Sequence, residues 1–267
     1  MTFSQADSII DQDERDKIIQ YWNDALLCSP ESSTSHADPD LAYLDNIIEN
    51  HILAESLQTW GAQGHNCLDI GAGYGRFADL FKQYYTHIVL LEPATQIYTR
   101  LTSLWGQDPQ IECHDADFES YVDARSFDLI FASGVLYLYS DEMLLSFARK
   151  AISMLNPNGI FLLRDFISLP DPRVLASSYV KDGFCYYRTP QFWRELAADL
   201  GIELLEIQRS KPALPWLRNK RTLSLLQILR LKRMFRQKTI INAAMRWGSF
   251  HLSHGHIHTV FIGLRRL

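Results

Sequence analysis

Glycines and carboxylates carry the chemistry that can be read from this chain. Asp69 precedes the run Gly71-Ala72-Gly73-Tyr74-Gly75-Arg76, and Glu92 closes an apolar stretch just before Pro93. Glycines remove the Cβ atoms that block a close approach, so the backbone N–H groups of such a loop can face a ligand. Asp69 can accept hydrogen bonds from the loop itself or from a cationic ligand. An acidic residue placed as Glu92 is can bond both hydroxyls of a ribose. A glycine loop in isolation is an ordinary turn; the strand before this one and the helix after it set it apart.

The elements that must position these residues follow from hydrophobic periodicity. Residues 67–70 read as a buried parallel strand and 76–85 as a helix, with Phe77, Leu80 and Phe81 on one face. A second strand covers 87–91, a helix 94–105, a third strand 110–114 and a fourth, nearly all apolar, 126–133. Ser140 is an N-cap, with Asp141 and Glu142 in the first turn of a helix over 143–155. Leu155-Asn-Pro-Asn-Gly159 is a turn into a fifth strand, 160–167. A helix with Pro190 in its first turn runs to residue 200, then a sixth strand covers 202–208 and a seventh, antiparallel to it, 256–265. Alternating strand and helix units make an α/β sheet, with expected order 3-2-1-4-5-7-6. The expected organisation is a helical arm and cap over 1–60, an α/β core over 61–209, a basic helical insertion over 210–255, and the last core strand over 256–267.

The chain has 267 residues and is 47% hydrophobic, enough for one large domain with a full core. Its four cysteines are scattered without a C-x-x-C pair, the N-terminus lacks an apolar signal core, and no apolar run is long enough to cross a membrane. A cytoplasmic protein is the expectation. Charge is uneven: 209–267 holds 13 of the 26 basic residues and none of the 31 acidic ones. That asymmetry points to an anionic partner, or to an acidic face of the same molecule. Residues 222–247 have imperfect amphipathicity, which leaves room for only weak peripheral membrane contact. Sparse aromatic interleaving argues against nucleic acid. His254, His256 and His258 alternate on one strand face, but with no cysteine or carboxylate beside them no metal is expected. No strained serine elbow is present for a nucleophilic triad.

A dinucleotide site asks for G-x-G-x-x-G, and Arg76 stands where its third glycine should be. The ordered set Asp69/Gly71/Gly73, Glu92, Asp115, the strand at Phe127 and L-N-P-N-G resembles instead the class I S-adenosylmethionine (SAM)-dependent methyltransferases, over roughly residues 66–208. The resemblance implies a Rossmann-like sheet, SAM as cofactor and S-adenosylhomocysteine as product. It implies cofactor contacts from Asp69, Gly71, Ala72, Gly73, Glu92, Pro93, Ser133 and Gly134. Asp115 is implied at the adenine amino group, the Ala116 N–H at a ring nitrogen, and Arg76 at the methionine carboxylate. The plain alternatives are a turn-capping role for Asp115 and a solvated helix position for Arg76.

Chemistry on the acceptor falls to Tyr137, after the fourth strand, to orient it, and to Asp165, at the fifth, to take its proton. Tyr21, Trp22, Tyr186, Tyr187 and Trp193 are candidate pocket walls, against the simpler reading of each as core. The expected reaction is methyl transfer to an O or N nucleophile of a small molecule, an anionic one included. A narrower similarity, to protein α-N-terminal methyltransferases, rests on Tyr21-Trp22, G-A-G-x-G-R, P-N-G and Arg164-Asp165. Leu138 and Phe166 stand where that family carries His and Asn. The rival classes are a non-catalytic module that keeps the fold for assembly, and a nucleotide-dependent oxidoreductase.

Overall fold

The structure, a computed structural model, describes residues 12–25, 39–177, 183–210 and 257–267. Helices α1 (Gln12–Ala25) and α2 (Pro39–Thr59) precede β1 (Gly64–Ile70). Then come α3 (Ala78–Phe81), β2 (Tyr85–Leu91), α4 (Thr95–Trp105), β3 (Ile111–His114) and β4 (Phe127–Ser133). A 3-10 turn, Leu136–Leu138, leads into α5 (Asp141–Met154) and β5 (Leu155–Ser168). The chain continues through β6 (Arg173–Ala176), β7 (Phe184–Tyr187), α6 (Pro190–Asp199), β8 (Glu203–Arg209) and β9 (Ile257–Arg265).

Seven strands form one sheet, ordered β3-β2-β1-β4-β5-β9-β8. β1 to β5 run parallel; β9 is antiparallel to both β5 and β8. This is the order expected from the sequence, with β8 and β9 as the sixth and seventh strands. β1 and β4 are neighbours although the chain leaves them in opposite directions. Their carboxyl ends therefore flank the switch point where open α/β sheets bind ligands.

Apolar cores cover both faces. On one, Ile48, Ile52, Leu53 and Leu57 of α2 pack with Phe77, Phe81, Leu90, Phe131 and Phe261. On the other, α5 and α6 pack Leu144, Phe147, Ala151, Trp193 and Leu196 against Leu68, Ile130, Phe161 and Ile262. Ser140 caps α5 by accepting from the Met143 N–H, and Thr189 caps α6 by accepting from the Phe192 N–H, each at 3.3 Å.

Three expectations need correction. The helix expected over 76–85 shrinks to the single turn Ala78–Phe81, because Tyr85 already pairs with Gly64 in the sheet. Phe77, Leu80 and Phe81 are nonetheless all buried. The L-N-P-N-G segment is not a free turn but an irregularity inside β5. Between Phe127↔Leu155 and Leu129↔Ile160, β5 carries extra residues, with Asn158 at φ 65°. A two-stranded ribbon, β6 with β7, lies where no strand was expected. Its β6 residues are all exposed, so no alternation announces it. All of the expected 210–255 insertion but Ser210, including its 222–247 stretch and also His251 and His254, lies outside the described residues, and His256 with it. So does 1–11 of the arm. Among the described residues no helix is long and apolar enough to cross a membrane.

Gly75 shows how tightly the glycine loop is seated. Its φ is +72°, and a Cβ there would come within 2.4 Å of Trp105 Nε1, which donates to the Tyr74 carbonyl at 2.9 Å. Gly75→Ala is expected to cost at least ~1–2 kcal/mol for the left-handed backbone alone. In thermal unfolding that corresponds to a melting temperature lower by several degrees, about 2–4 °C per kcal/mol for a domain of this size.

Candidate active site

The loop after β1 gathers most of the charge that the sequence singled out. Gly71 and Gly73 take φ of 65° and 60°, in the left-handed region that suits glycine. The Ala72 N–H donates to Leu91 O at 2.9 Å, which ties the loop to the end of β2. Glu92 sits one residue further on and is buried. Its Oε2 accepts from the Gly73 N–H and its Oε1 from the Ala94 N–H, both at 2.9 Å. Burial pushes its carboxyl up to about 7, against the lowering effect of those two N–H groups; the nearby charge of Asp115 adds to the rise. Asp115 itself is exposed beyond β3, with Ala116 half-buried beside it.

Asp69 is 1% exposed, and its Oδ1 has no hydrogen-bond partner. Burial first, then the charge of Glu92, hold its carboxyl well above the usual range, while Arg76 pulls it down. A buried, unpartnered carboxylate oxygen costs free energy unless something meets it. With Glu92 alongside and Cβ atoms missing from the loop, the residues present fit a ligand with hydroxyl or cationic donors.

Arg76 is not a solvated helix residue. It forms an ion pair with Glu49, donates through Nε to Asn46 Oδ1 at 2.9 Å, and lies 4.5 Å from the Phe77 ring. Glu49, fully buried on α2, also receives Arg164 at 2.8 Å and the Ser210 hydroxyl at 3.0 Å. The signal for Glu49 was available: it shares a helical stripe with Ile48, Ile52, Leu53 and Leu57, a polar residue on a core-facing side.

At the acceptor side, Ser133 ends β4 and Gly134 takes φ 68°, its N–H donating to Arg164 O at 2.8 Å. The next residues curl into the 3-10 turn that carries Tyr137. Tyr137 packs edge-on to Phe166, ring centroids 4.9 Å apart, and Tyr187 lies 6.4 Å away. Asp165 is 2% exposed; its Oδ1 accepts from the Phe166 N–H at 2.7 Å, and its Oδ2 has no hydrogen-bond partner within bonding geometry. Burial pushes this carboxyl up to about 7, while Arg188, Arg164 and the N–H groups of Phe166 and Tyr137 pull the other way. The turn thus brings the Tyr137 backbone N–H to Asp165, while the Tyr137 ring packs on the neighbouring Phe166.

The aromatic candidates divide. Tyr187 joins Tyr137 and Phe166, and Tyr186 lies 5.6 Å from the Arg188 guanidinium. Tyr21 and Trp22 are half-buried on α1, which docks at the start of α4 where Asn23 Oδ1 accepts from the Gln96 N–H. Trp193, at 1% exposure, packs within the core under α6, in keeping with the simpler reading. Two contributors escaped sequence reasoning, Lys150 and Arg188. Lys150 Nζ donates to the carbonyls of Phe118, Glu119 and Tyr121 at 2.6–2.9 Å and so fixes the loop that follows Asp115. Neither leaves a spacing signal, because each meets backbone carbonyls far away in sequence. Among the described residues no group of His, Cys, Asp and Glu is placed to hold a metal ion.

Asp165 has a consequence for stability. Its carboxyl titrates higher in the folded chain than in the unfolded one, so protonation favours the folded state. The contribution is fully present below about pH 4 and is lost as pH rises through about 7. The melting temperature of the ligand-free protein should therefore fall between pH 5 and pH 8. In Asp165→Asn that fall should be smaller, with stability at pH 8 higher than wild type by on the order of 2–4 kcal/mol. Asp69 and Glu92, whose carboxyls burial shifts in the same direction, account for the part that persists.

Comparisons agree with this geometry. No curated protein matches the chain. Among solved structures, a SAM-dependent methyltransferase from Leishmania major is similar at TM-score 0.61 and 20% identity, covering 74% of this chain and 76% of that one. The 1,6-didemethyltoxoflavin-N1-methyltransferase of Burkholderia thailandensis, solved with 1,6-didemethyltoxoflavin and S-adenosylhomocysteine, reaches TM-score 0.63 at 13% identity, covering 98% and 93%. The N-methyltransferase NodS of Bradyrhizobium japonicum, in complex with S-adenosylhomocysteine, gives 0.56 at 12%, covering 94% and 98%. At these identities the likeness concerns the fold. The family model described as a methyltransferase domain matches residues 43–260, from α2 into the last strand, and the chain belongs to that family.

Proposed function

We propose that this chain is a SAM-dependent methyltransferase acting on an O or N nucleophile of a small-molecule acceptor. The observation that carries the cofactor reading is the buried, unpartnered Oδ1 of Asp69, beside Glu92 at a glycine loop on the sheet's switch point. Glu92 would exchange the Gly73 N–H for the ribose hydroxyls. Asp115 and the Ala116 N–H would meet the adenine. Ala72, Pro93, Ser133 and Gly134 line the same edge. Arg76 keeps donors beyond those given to Glu49 and Asn46, and these suit the methionine carboxylate. A non-catalytic module would have no use for a buried carboxylate left without a partner. When bound, SAM supplies an electrophilic methyl group on a sulfonium.

The chain's own work is to hold the acceptor in line, exclude water and take a proton. Asp165, with a carboxyl near 7 and a free oxygen, is suited to accept that proton at neutral pH. Tyr137 and Tyr187 would form the wall that orients the acceptor. Leu138 is buried in the core, and Phe166 packs on Tyr137. Neither offers the polar group that the peptide-amine methylating family carries at these positions, which supports a small molecule. An anionic acceptor is supported by charge placement. Ser210 donates to Thr259 O, and Ile257 pairs with Ser168 at the end of β5. The chain between those residues holds ten of the 26 basic residues and no acidic one. It departs and returns at the end of the sheet where Asp165 lies. Scattered free thiols at Cys67, Cys113 and Cys185 suit a cytoplasmic setting.

The decisive experiment is incubation with methyl-labelled SAM and a fractionated lysate of the source organism. A labelled small molecule is expected, its formation reduced at least ~100-fold in Asp165→Asn and clearly in Tyr137→Phe, with SAM affinity near wild type in both. Label found only in protein would reject the small-molecule reading.

Calorimetry with SAM tests the cofactor site separately. Asp69→Ala and Glu92→Ala should each weaken binding by ~1–3 kcal/mol. Because hydroxyl donors favour an ionised Glu92, affinity should drop as pH falls below about 7, and Glu92→Gln should remove that dependence. Wild-type affinity in all the variants would reject this site.

A further inference from the structure

Arg188 is a buried cation that none of these steps uses. It follows β7, immediately before the capping residue of α6, and is 4% exposed. Its Nε donates to Asp141 Oδ1 at 2.8 Å, Nη1 to Leu136 O at 3.0 Å and Nη2 to Tyr139 O at 2.5 Å. The rings of Tyr186 and Phe192 lie 5.6 and 5.3 Å from the guanidinium. Its own carbonyl accepts from the Ser168 N–H at 2.9 Å, which locks the ribbon to the end of β5. One side chain therefore joins three elements and brackets the turn that carries Tyr137 on both sides. A three-residue 3-10 turn after a left-handed glycine has little to hold it in place by itself. A planar guanidinium offers donors in several fixed directions, which an ammonium does not.

We infer that Arg188 is the positioning residue of the acceptor site: it holds the Leu136–Tyr139 turn so that the Tyr137 ring stays on Phe166, next to Asp165, and its charge sets the field in which Asp165 exchanges a proton. The inference rests on the reading of Asp165 as the proton acceptor. On Asp165 act Arg164 from its own strand, Arg188 from beyond the ribbon and the Tyr137 N–H from the β4–α5 connection, with Asp141 paired to Arg188 and Tyr187 packed on Phe166. His258 and Arg209 come from the edge strands, Arg209 across Val260 in the same register row. Of these, Arg188 is the largest charge acting to keep Asp165 ionised.

The test needs no acceptor. In protein carrying carbon-13 at the aspartate carboxyls, one resonance should titrate near pH 7 and vanish in Asp165→Asn, which assigns it. Arg188→Met should move that titration up by about one pH unit or more. Arg188→Lys should leave it near wild type, because the charge remains. In both Arg188 variants amide exchange at Tyr137, Leu138 and Tyr139 should quicken at least tenfold, while calorimetric affinity for SAM stays within twofold. An unmoved titration in a folded Arg188→Met protein overturns the electrostatic part. Unchanged exchange in Arg188→Lys overturns the clamp, and that variant decides the matter if Arg188→Met does not fold. If instead no resonance near pH 7 is lost in Asp165→Asn, the proton-acceptor reading fails, and the exchange result stands by itself.

Discussion

A single buried carboxylate, that of Glu49, holds the working end of this molecule together. It receives Arg76 from the glycine loop, Arg164 from β5 and the hydroxyl of Ser210 at the end of β8. Those groups come from three separate stretches of chain, and α2 is the fourth. Removing such charges from water costs several kcal/mol per ion, and only close pairing with further hydrogen bonds offsets it. The pairing has a structural consequence. α2 cannot shift along the sheet without stranding two arginines in an apolar setting, so the helix is fixed over the loop it covers. Ser56, two turns further on, adds a second tie by donating to Gln208 of β8 at 2.6 Å.

The same edge carries a second theme, carboxylates deprived of water. Asp69, Glu92 and Asp165 are each nearly fully buried, and burial is the largest influence on each. A parallel sheet puts the ends of its strands under the helices that connect them, so residues placed there lose solvent whether or not they gain partners. Asp69 and Asp165 each retain an oxygen with nothing bonded to it. Unpartnered buried carboxylate oxygens are costly, and a ligand that donates to them would complete the bonding. The two lie at different strand ends, one beside the glycine loop and one beside Tyr137. That separation is the arrangement a two-substrate reaction needs: one place for the group donor and another for the acceptor.

Two cations, a half-buried lysine and a buried arginine, set the loops around this edge. Lys150 gathers three carbonyls of the segment after Asp115, and Arg188 gathers two carbonyls of the segment after β4. Both loops are irregular and cannot satisfy their own carbonyls by a ladder. A cation reaching from a helix or a ribbon does so instead, and rigid loops on a rigid sheet follow.

The sequence by itself determined the sheet. Apolar runs such as 67–70 and 127–133, separated by helical periodicity and turn residues, leave few topologies open once crossovers must be right-handed. It also determined the identities at the cofactor edge, because glycines and acids at strand ends are constraints on single residues: Gly71, Gly73, Asp69 and Glu92 stand together as their spacing requires. Tertiary structure decided the rest. It shortened the helix after the loop, since the pairing of Tyr85 with Gly64 outweighs local helix preference across 82–85. It placed Trp193 in the core, because which side of α6 meets the sheet depends on the whole packing. It joined Glu49 to Arg76, Arg164 and Ser210, and Arg188 to the turn at Tyr137, contacts between residues 27 to 161 positions apart. Local pattern carries information over about one helical turn or one strand. A buried charge finds its partner wherever the fold brings one, and that distance is set by topology.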